Sequence, residues 1–190
     1  MLFLTDTHGT RGKRAAGGGV SHALDSLPAG YTGYWGDMPS AVRDTGGVGI
    51  VVSDDFVRRV TGEGGRVTWT PGILQGRIAS LSLAGPEGCL DLYVVYLQAG
   101  TEAEDRQARI AAMDQLRARL RPRSQAWSLV AGDWNFAPTN ADRWCKDTGQ
   151  YTGRKDARDA AAFKAHFQAP GHELLTELQQ EEYTWDGSHA

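Results

Sequence analysis

Asp133 and Asn135 stand two apart at the end of the apolar run Trp127-Ser128-Leu129-Val130-Ala131, within Gly132-Asp133-Trp134-Asn135. If that run is a strand that continues through the pair, alternation puts both side chains on one face. A carboxylate there can take a proton from water, and an amide beside it can orient that water or hydrogen-bond a phosphate oxygen. Gly, Asp and Asn are also ordinary turn residues, so a plain turn is the alternative. Asp6 follows Phe3-Leu4-Thr5 and precedes Thr7-His8. A lone carboxylate at a strand end suits Mg²⁺, which takes oxygen ligands and few of them from protein; a helix cap or turn acid is the alternative. Tyr96 closes the run that begins at Leu90, and its phenol could donate to a phosphate oxygen or simply pack as an amphipathic side chain.

These residues need elements to hold them. Residues 1–5 read as the end of a buried strand with Asp6 at its tip. Gly46-Gly47 leads into Val48-Gly49-Ile50-Val51-Val52-Ser53, a turn entering a buried strand. Residues 67–70 suggest another strand. Residues 77–83 alternate apolar and polar, residues 84–88 form a turn cluster, and residues 90–97 return as a β-branched and aromatic run, which is a hairpin pattern. Residues 101–121 carry the clearest helix: Ile110, Met113, Leu116 and Leu120 recur on one face, Thr101 can cap its start, and Pro122 ends it. Further helices are expected at 20–27, 154–167 and 171–178, and a short buried strand at 127–131. Strands and helices mix, with hairpins among the strands, so the expected class is a largely antiparallel or mixed α/β sandwich.

Composition narrows the class. The chain has 190 residues, enough for one domain, and is 41% hydrophobic, enough for a real core. Its 24 glycines favour a turn-rich, sheet-rich fold over a helix bundle. A net charge of -3 excludes the strongly basic footprint of a sequence-reading DNA binder, although an enzyme with its own divalent cation needs only a local basic rim. Cys89 and Cys145 lie far apart with no Cys/His cluster, which argues against zinc and for free thiols in a reducing compartment. No apolar run approaches a membrane span or a secretory signal, so an intracellular protein, nuclear or cytoplasmic, is expected.

In order, the sequence gives Phe3-Leu4-Thr5-Asp6-Thr7-His8, Gly47-Val48-Gly49-Ile50, Gly76-Arg77-Ile78, Val94-Val95-Tyr96, Gly132-Asp133-Trp134-Asn135 and Tyr183-Thr184-Trp185. This series resembles the endonuclease/exonuclease/phosphatase superfamily, which includes exonuclease-III-like AP endonucleases and retrotransposon endonucleases. Gly-Asp-x-Asn is its most specific single motif. The resemblance implies an α/β four-layer sandwich, two mixed, largely antiparallel sheets flanked by helices, present here as one incomplete domain over residues 1–190. It implies Mg²⁺-dependent phosphodiester hydrolysis, with Mn²⁺ as a substitute, and nucleic acid as substrate, DNA ahead of RNA. Asp6 stands where the family has a metal-binding Glu. Tyr96 matches the Tyr that touches the scissile phosphate, Asp133 the residue that activates or positions water, and Asn135 its phosphate-contacting neighbour. Trp185 matches an aromatic residue beside the substrate pocket. Gly47 to Ile50 and Gly76 to Ile78 look structural.

The departures are specific. Asp6 is one methylene shorter than Glu, and Leu97-Gln98 follow Tyr96 where the family usually has Pro nearby. The family's first strand, with its Asn, is expected before Met1, and its Ser-Arg-Ile/Leu-Asp segment and final Asp-His pair after Ala190. None of His8, His22, His166, His172 or His189 stands in the place of that His. Arg11, Lys13 and Arg14 could grip a phosphate backbone near Asp6, or form a solvated loop. The same stretch fails as a P-loop, because Arg14 replaces the Ser/Thr. No Gly-x-Ser-x-Gly supports serine hydrolase chemistry. The arginines at 117, 119, 121 and 123 read as a solvated helix end. A nucleic-acid endonuclease is the first functional reading. A phosphoinositide phosphatase or sphingomyelinase-like enzyme is the second, and an inactive fragment or nucleic-acid-binding remnant the third.

Overall fold

A computed structural model describes residues 1–7, 27–36, 46–138, 144–145, 148–151, 156–170, 174–176 and 178. Arg11, Lys13, Arg14 and Trp185 lie outside the described residues, as do residues 20–26 of the helix expected at 20–27. The chain divides into two compact units, Met1–Leu97 with Ala118–Trp134, and Gln98–Arg117 with Asn135–Ala190.

The first unit holds two sheets. Leu2–Thr5 (β1), Tyr31–Trp35 (β2) and Val48–Ser53 (β3) make a three-stranded antiparallel sheet with β3 in the centre. After a short helix, Asp54–Thr61 (α1), come Arg66–Leu74 (β4), Ile78–Gly85 (β5), Gly88–Tyr96 (β6) and Trp127–Asp133 (β7), in that spatial order. β4, β5 and β6 are antiparallel, and β6 pairs with β7 in parallel. Parallel neighbours cannot be joined by a tight turn, and here the chain runs through the helix Ala103–Arg117 (α2) between them. The sheets share one core. Val48, Ile50 and Val52 of β3 cluster with Ala79, Leu81 and Leu83 of β5 and with Leu92 and Val94 of β6. Phe56, Val57 and Val60 of α1 close over it. The expected mixed α/β sandwich is the observed architecture.

Local chemistry explains the elements that differ from expectation. The strand expected at 67–70 runs on to Leu74 through a register shift between Thr70 and Leu74. Pro71 and Gly72 sit in that irregularity, and β4 is an edge strand, where a residue without an N–H is tolerated. Helix α1 was not expected. Ser53 caps it by accepting from the Phe56 amide at 3.2 Å, Asp54 and Asp55 fill its first turn, and Gly62 ends it at φ 61°. β1 and β7 were expected to be buried and are half-buried edge strands, with Leu2 60% and Trp127 71% exposed.

In the second unit α2 spans less than the expected 101–121, ending five residues before Pro122. Met113 and Leu116 are buried as the periodicity predicts, whereas Ile110 is only half-buried. Arg109, also on α2, is 2% exposed. Its guanidinium makes two 2.9 Å bonds to Asp159 and donates to the carbonyls of Gln98 and Gly100 at 2.8 and 2.9 Å. The helix expected at 154–167 forms as Ala157–Phe167 (α3), which packs on α2. Of the helix expected at 171–178, residues 171–173 and 177 lie outside the described residues, and the described Leu174, Leu175, Thr176 and Leu178 have no regular structure. The Leu174 and Leu175 amides instead both bond the Phe167 carbonyl. Two short strands, Trp144–Cys145 (β8) and Gln150–Tyr151 (β9), pair antiparallel. Back in the first unit, Arg121 is not part of a solvated helix end. It donates two 2.7 Å bonds to Asp91, itself 1% exposed. Cys89 is a free, half-buried thiol.

Candidate active site

The site is built on one end of the β5–β6–β7 ladder. Gly85 pairs with Gly88 across the Pro86-Glu87 turn, and that register carries down the hairpin to Ile78 opposite Val95. One step further, Arg77 lies across from Tyr96, whose amide donates to the Arg77 carbonyl at 2.8 Å. On the other flank Tyr96 pairs with Asp133 in the parallel register, and the Leu97 amide donates to the Asp133 carbonyl at 2.9 Å. Laterally paired residues share a face of the sheet. Arg77, Tyr96 and Asp133 therefore form a row.

Gly132 lets β7 come this close. Its φ is 140°, and a Cβ there would sit 1.9 Å from the Val95 carbonyl oxygen. No side chain fits, and an L residue rarely adopts that φ.

Asp6 reaches the same row from the other sheet of this unit. It follows β1 and turns the chain at φ 52°, a conformation Asp tolerates better than most residues. Its Oδ1 accepts the Gly46 amide at 3.2 Å. The Thr7 amide donates to the Gly47 carbonyl at 3.3 Å, and the Gly47 amide to the Gly76 carbonyl at 2.9 Å. These bonds stitch the end of β1 to the turn that carries Arg77. The glycines read as structural, Gly47 and Gly76, have φ 99° and 67° and make that stitch.

Asp6, Arg77 and Asp133 all act on the Tyr96 side chain. Tyr96 is 8% exposed, while Asp6 and Asp133 are exposed. The phenol donates to the Asp6 carboxylate, and the Arg77 guanidinium lies 4.8 Å over its ring. Burial raises its pKa above the ordinary value, chiefly by desolvation. The charge of Asp6, its hydrogen bond and the charge of Asp133 push the same way, and Arg77 opposes them. At neutral pH the hydroxyl is thus a neutral donor beside two carboxylates.

Of the residues singled out in the sequence, Asp6, Tyr96 and Asp133 come together. For Asn135 the condition of a continuing strand is not met. β7 stops at Asp133, and Asn135 takes φ 51°, so strand alternation does not align the pair. Asn135 is half-buried and belongs to the second unit. Arg77 was read as structural, yet the hairpin's two-residue turn carries the signal that it faces Tyr96. Counting back from Gly85 opposite Gly88 pairs 77 with 96.

The donor chemistry fits a hard cation. Asp6 and Asp133 offer exposed carboxylate oxygens at strand ends, and no group of three or more His, Cys, Asp or Glu able to hold a metal occurs among the described residues. Hard cations take oxygen ligands of this kind.

No protein-family model and no curated protein matches the chain. Solved structures match it in part. An AP endonuclease from Archaeoglobus fulgidus is 18% identical with a TM-score of 0.45, over 71% of this chain and 49% of that one. The 3′ phosphatase NExo from Neisseria, bound to product DNA hairpin, is 17% identical with a TM-score of 0.43, over 71% and 49%. A humanized D. rerio TDP2 is 19% identical with a TM-score of 0.36, over 56% and 43%. The chain spans about half the length of these solved structures.

Proposed function

We propose that this chain is the part of an endonuclease/exonuclease/phosphatase-superfamily hydrolase that carries Asp6, Tyr96 and Asp133, and that it cleaves phosphodiester bonds in nucleic acid. One observation carries the reading. Two carboxylates from stretches far apart in sequence, Asp6 and Asp133, converge on the single buried phenol of Tyr96. An accidental turn acid has no reason to meet another strand-end acid there.

In this reading Asp133 accepts a proton from the attacking water, or holds that water in line. Tyr96, neutral and buried, donates to a non-bridging phosphate oxygen as charge develops on it. Asn135 takes the phosphate-contacting role that the resemblance gives it. Asp6 holds Mg²⁺, which when bound supplies the positive charge that neutralises the phosphate. The roles the sequence suggests for Arg11, Lys13 and Arg14 on a phosphate backbone, and the resemblance suggests for Trp185 beside the substrate, belong to the same reading. DNA is the proposed substrate ahead of RNA, with Thr184-Trp185 and Tyr96 as the residues that favour a nuclease.

The test is nicking of supercoiled plasmid with and without Mg²⁺, by the native chain and by Asp133→Ala. The expected result is Mg²⁺-dependent nicking that falls by about 10²-fold or more in the variant. Nicking that survives in Asp133→Ala overturns the role of Asp133. Hydrolysis of a phosphoinositide with plasmid left intact overturns nucleic acid as the substrate.

A further inference from the structure

Arg77 sets its guanidinium against the Tyr96 ring. Its backbone is held at both polar groups: its amide donates to the Leu74 carbonyl at 2.9 Å, and its carbonyl accepts the Tyr96 amide at 2.8 Å. The side chain therefore starts from a fixed point opposite Tyr96, and its guanidinium carbon ends 4.8 Å from the ring centroid. A planar guanidinium over an aromatic face gains from the ring's quadrupole and from stacking, which a compact ammonium does only in part. A Tyr hydroxyl is placed by two torsions, χ1 and χ2. A plate fixed over one face restricts both, and so fixes where the hydroxyl stands between Asp6 and Asp133.

We propose that Arg77 is a positioning residue that acts through Tyr96, holding the phenol in the orientation from which its hydroxyl addresses the substrate phosphate. The inference rests on the hydrolase reading of this site. It goes beyond that reading by giving a role to a residue that neither the motif pattern nor a direct contact with substrate supplies. Arg77 works by shape as much as by charge, so Arg77→Lys does not replace it.

The test has two arms. The first needs no turnover: carbon-13-labelled tyrosine, with the Tyr96 ring resonance assigned by its disappearance in Tyr96→Phe. The ring resonance shifts in both Arg77→Ala and Arg77→Lys, while the resonances of Tyr93 and Tyr31 stay in place and report an intact fold. An unmoved Tyr96 resonance overturns the proposal. The second arm is a double-mutant cycle on plasmid nicking. Arg77→Ala lowers kcat roughly tenfold with KM little changed, and Arg77→Lys recovers only a minor part. In a Tyr96→Phe background the same Arg77→Ala change has almost no further effect. Losses that multiply in the double variant, or a change confined to KM, overturn the proposal and place Arg77 on the substrate instead. A native chain that cuts nothing, with the resonance shifted as expected, overturns the hydrolase reading and leaves the Arg77–Tyr96 clamp supported.

Discussion

Replacing Gly132 with Ala should damage stability and activity together, by an amount that can be worked from the backbone. The added Cβ would lie 1.9 Å from the Val95 carbonyl oxygen and 2.9 Å from the Val95 nitrogen and carbonyl carbon. Contacts under 3.0 Å essentially never occur for a real Cβ, so β6 and β7 must part by at least 1.1 Å at this point. The neighbouring bond from the Leu97 amide to the Asp133 carbonyl, 2.9 Å long, would then stretch out of bonding range. Losing it costs about 1 kcal/mol, and holding Ala at φ 140° adds about 1–3 kcal/mol. A total of roughly 2–4 kcal/mol is expected in urea unfolding. Asp133 is the next residue, and if it acts on water as proposed, a displacement of about 1 Å costs on the order of 10²-fold in rate. Gly88→Ala is the control. Gly88 has nearly the same φ, 130°, but a Cβ there meets nothing within 4 Å. It should lose only the conformational part, about 1–3 kcal/mol, and keep its nicking activity. Equal midpoints and equal rates for the two variants would refute the close-approach argument.

Burial should decide the worth of the ion pairs. Arg121→Ala leaves the 1%-exposed Asp91 carboxylate without its two 2.7 Å bonds and should cost about 3 kcal/mol in urea unfolding. The exposed Arg58–Asp55 pair, at 75% and 65% side-chain exposure, should change stability by less than about 1 kcal/mol in Arg58→Ala. Similar costs for both would contradict this. Alkaline pH supplies another test. Burial, and then the charge of Asp91, push the Tyr93 pKa from 10.0 up to about 12. The folded state thus holds this proton more tightly than the unfolded one. The stability it contributes is complete below pH 10 and lost as pH rises to about 12. In Tyr93→Phe the unfolding midpoint should fall less steeply across that window, and an unchanged slope would be the contrary result.

The sequence showed the hairpin of β5 and β6 and the buried β3 through apolar alternation and runs, because both faces of those strands are largely covered. It concealed α1, whose eight residues are too short for periodicity to stand out beside β3. The signals were present all the same, in Ser53 followed by two acids and then Phe56, Val57 and Val60. β2 was concealed for another reason: Tyr31-Thr32-Gly33-Tyr34-Trp35 has a glycine at its centre and half-exposed aromatics, which pattern reading takes for a turn. At 109 and 121 the obstacle was charge. An arginine counts as solvated until its carboxylate is known, and Asp159 and Asp91 lie 50 and 30 residues away in sequence.

The site divides along the same line. Asp6, Tyr96 and Asp133 were legible because each ends an apolar run, and a strand end is where a polar side chain can leave the core without being stranded in it. What was not legible was their relation to one another, since that is set by pairing between strands. Register makes Tyr96 the middle of a row, with Arg77 on one side and Asp133 on the other. The bonds from Gly46 and Gly47 then bring Asp6 to the same hydroxyl. Asn135 shows the converse. Two residues apart implies a common face only while the strand lasts, and β7 gives way at Asp133 to a residue at φ 51°. Its side-chain direction is therefore set by the turn after β7. A function for Asn135 has to be tested separately from that of Asp133: if both serve one phosphate, Asn135→Ala should lower nicking without altering the Mg²⁺ requirement, and if Asn135 only stabilises the turn, its loss should appear in the urea midpoint and leave the rate of the folded protein intact.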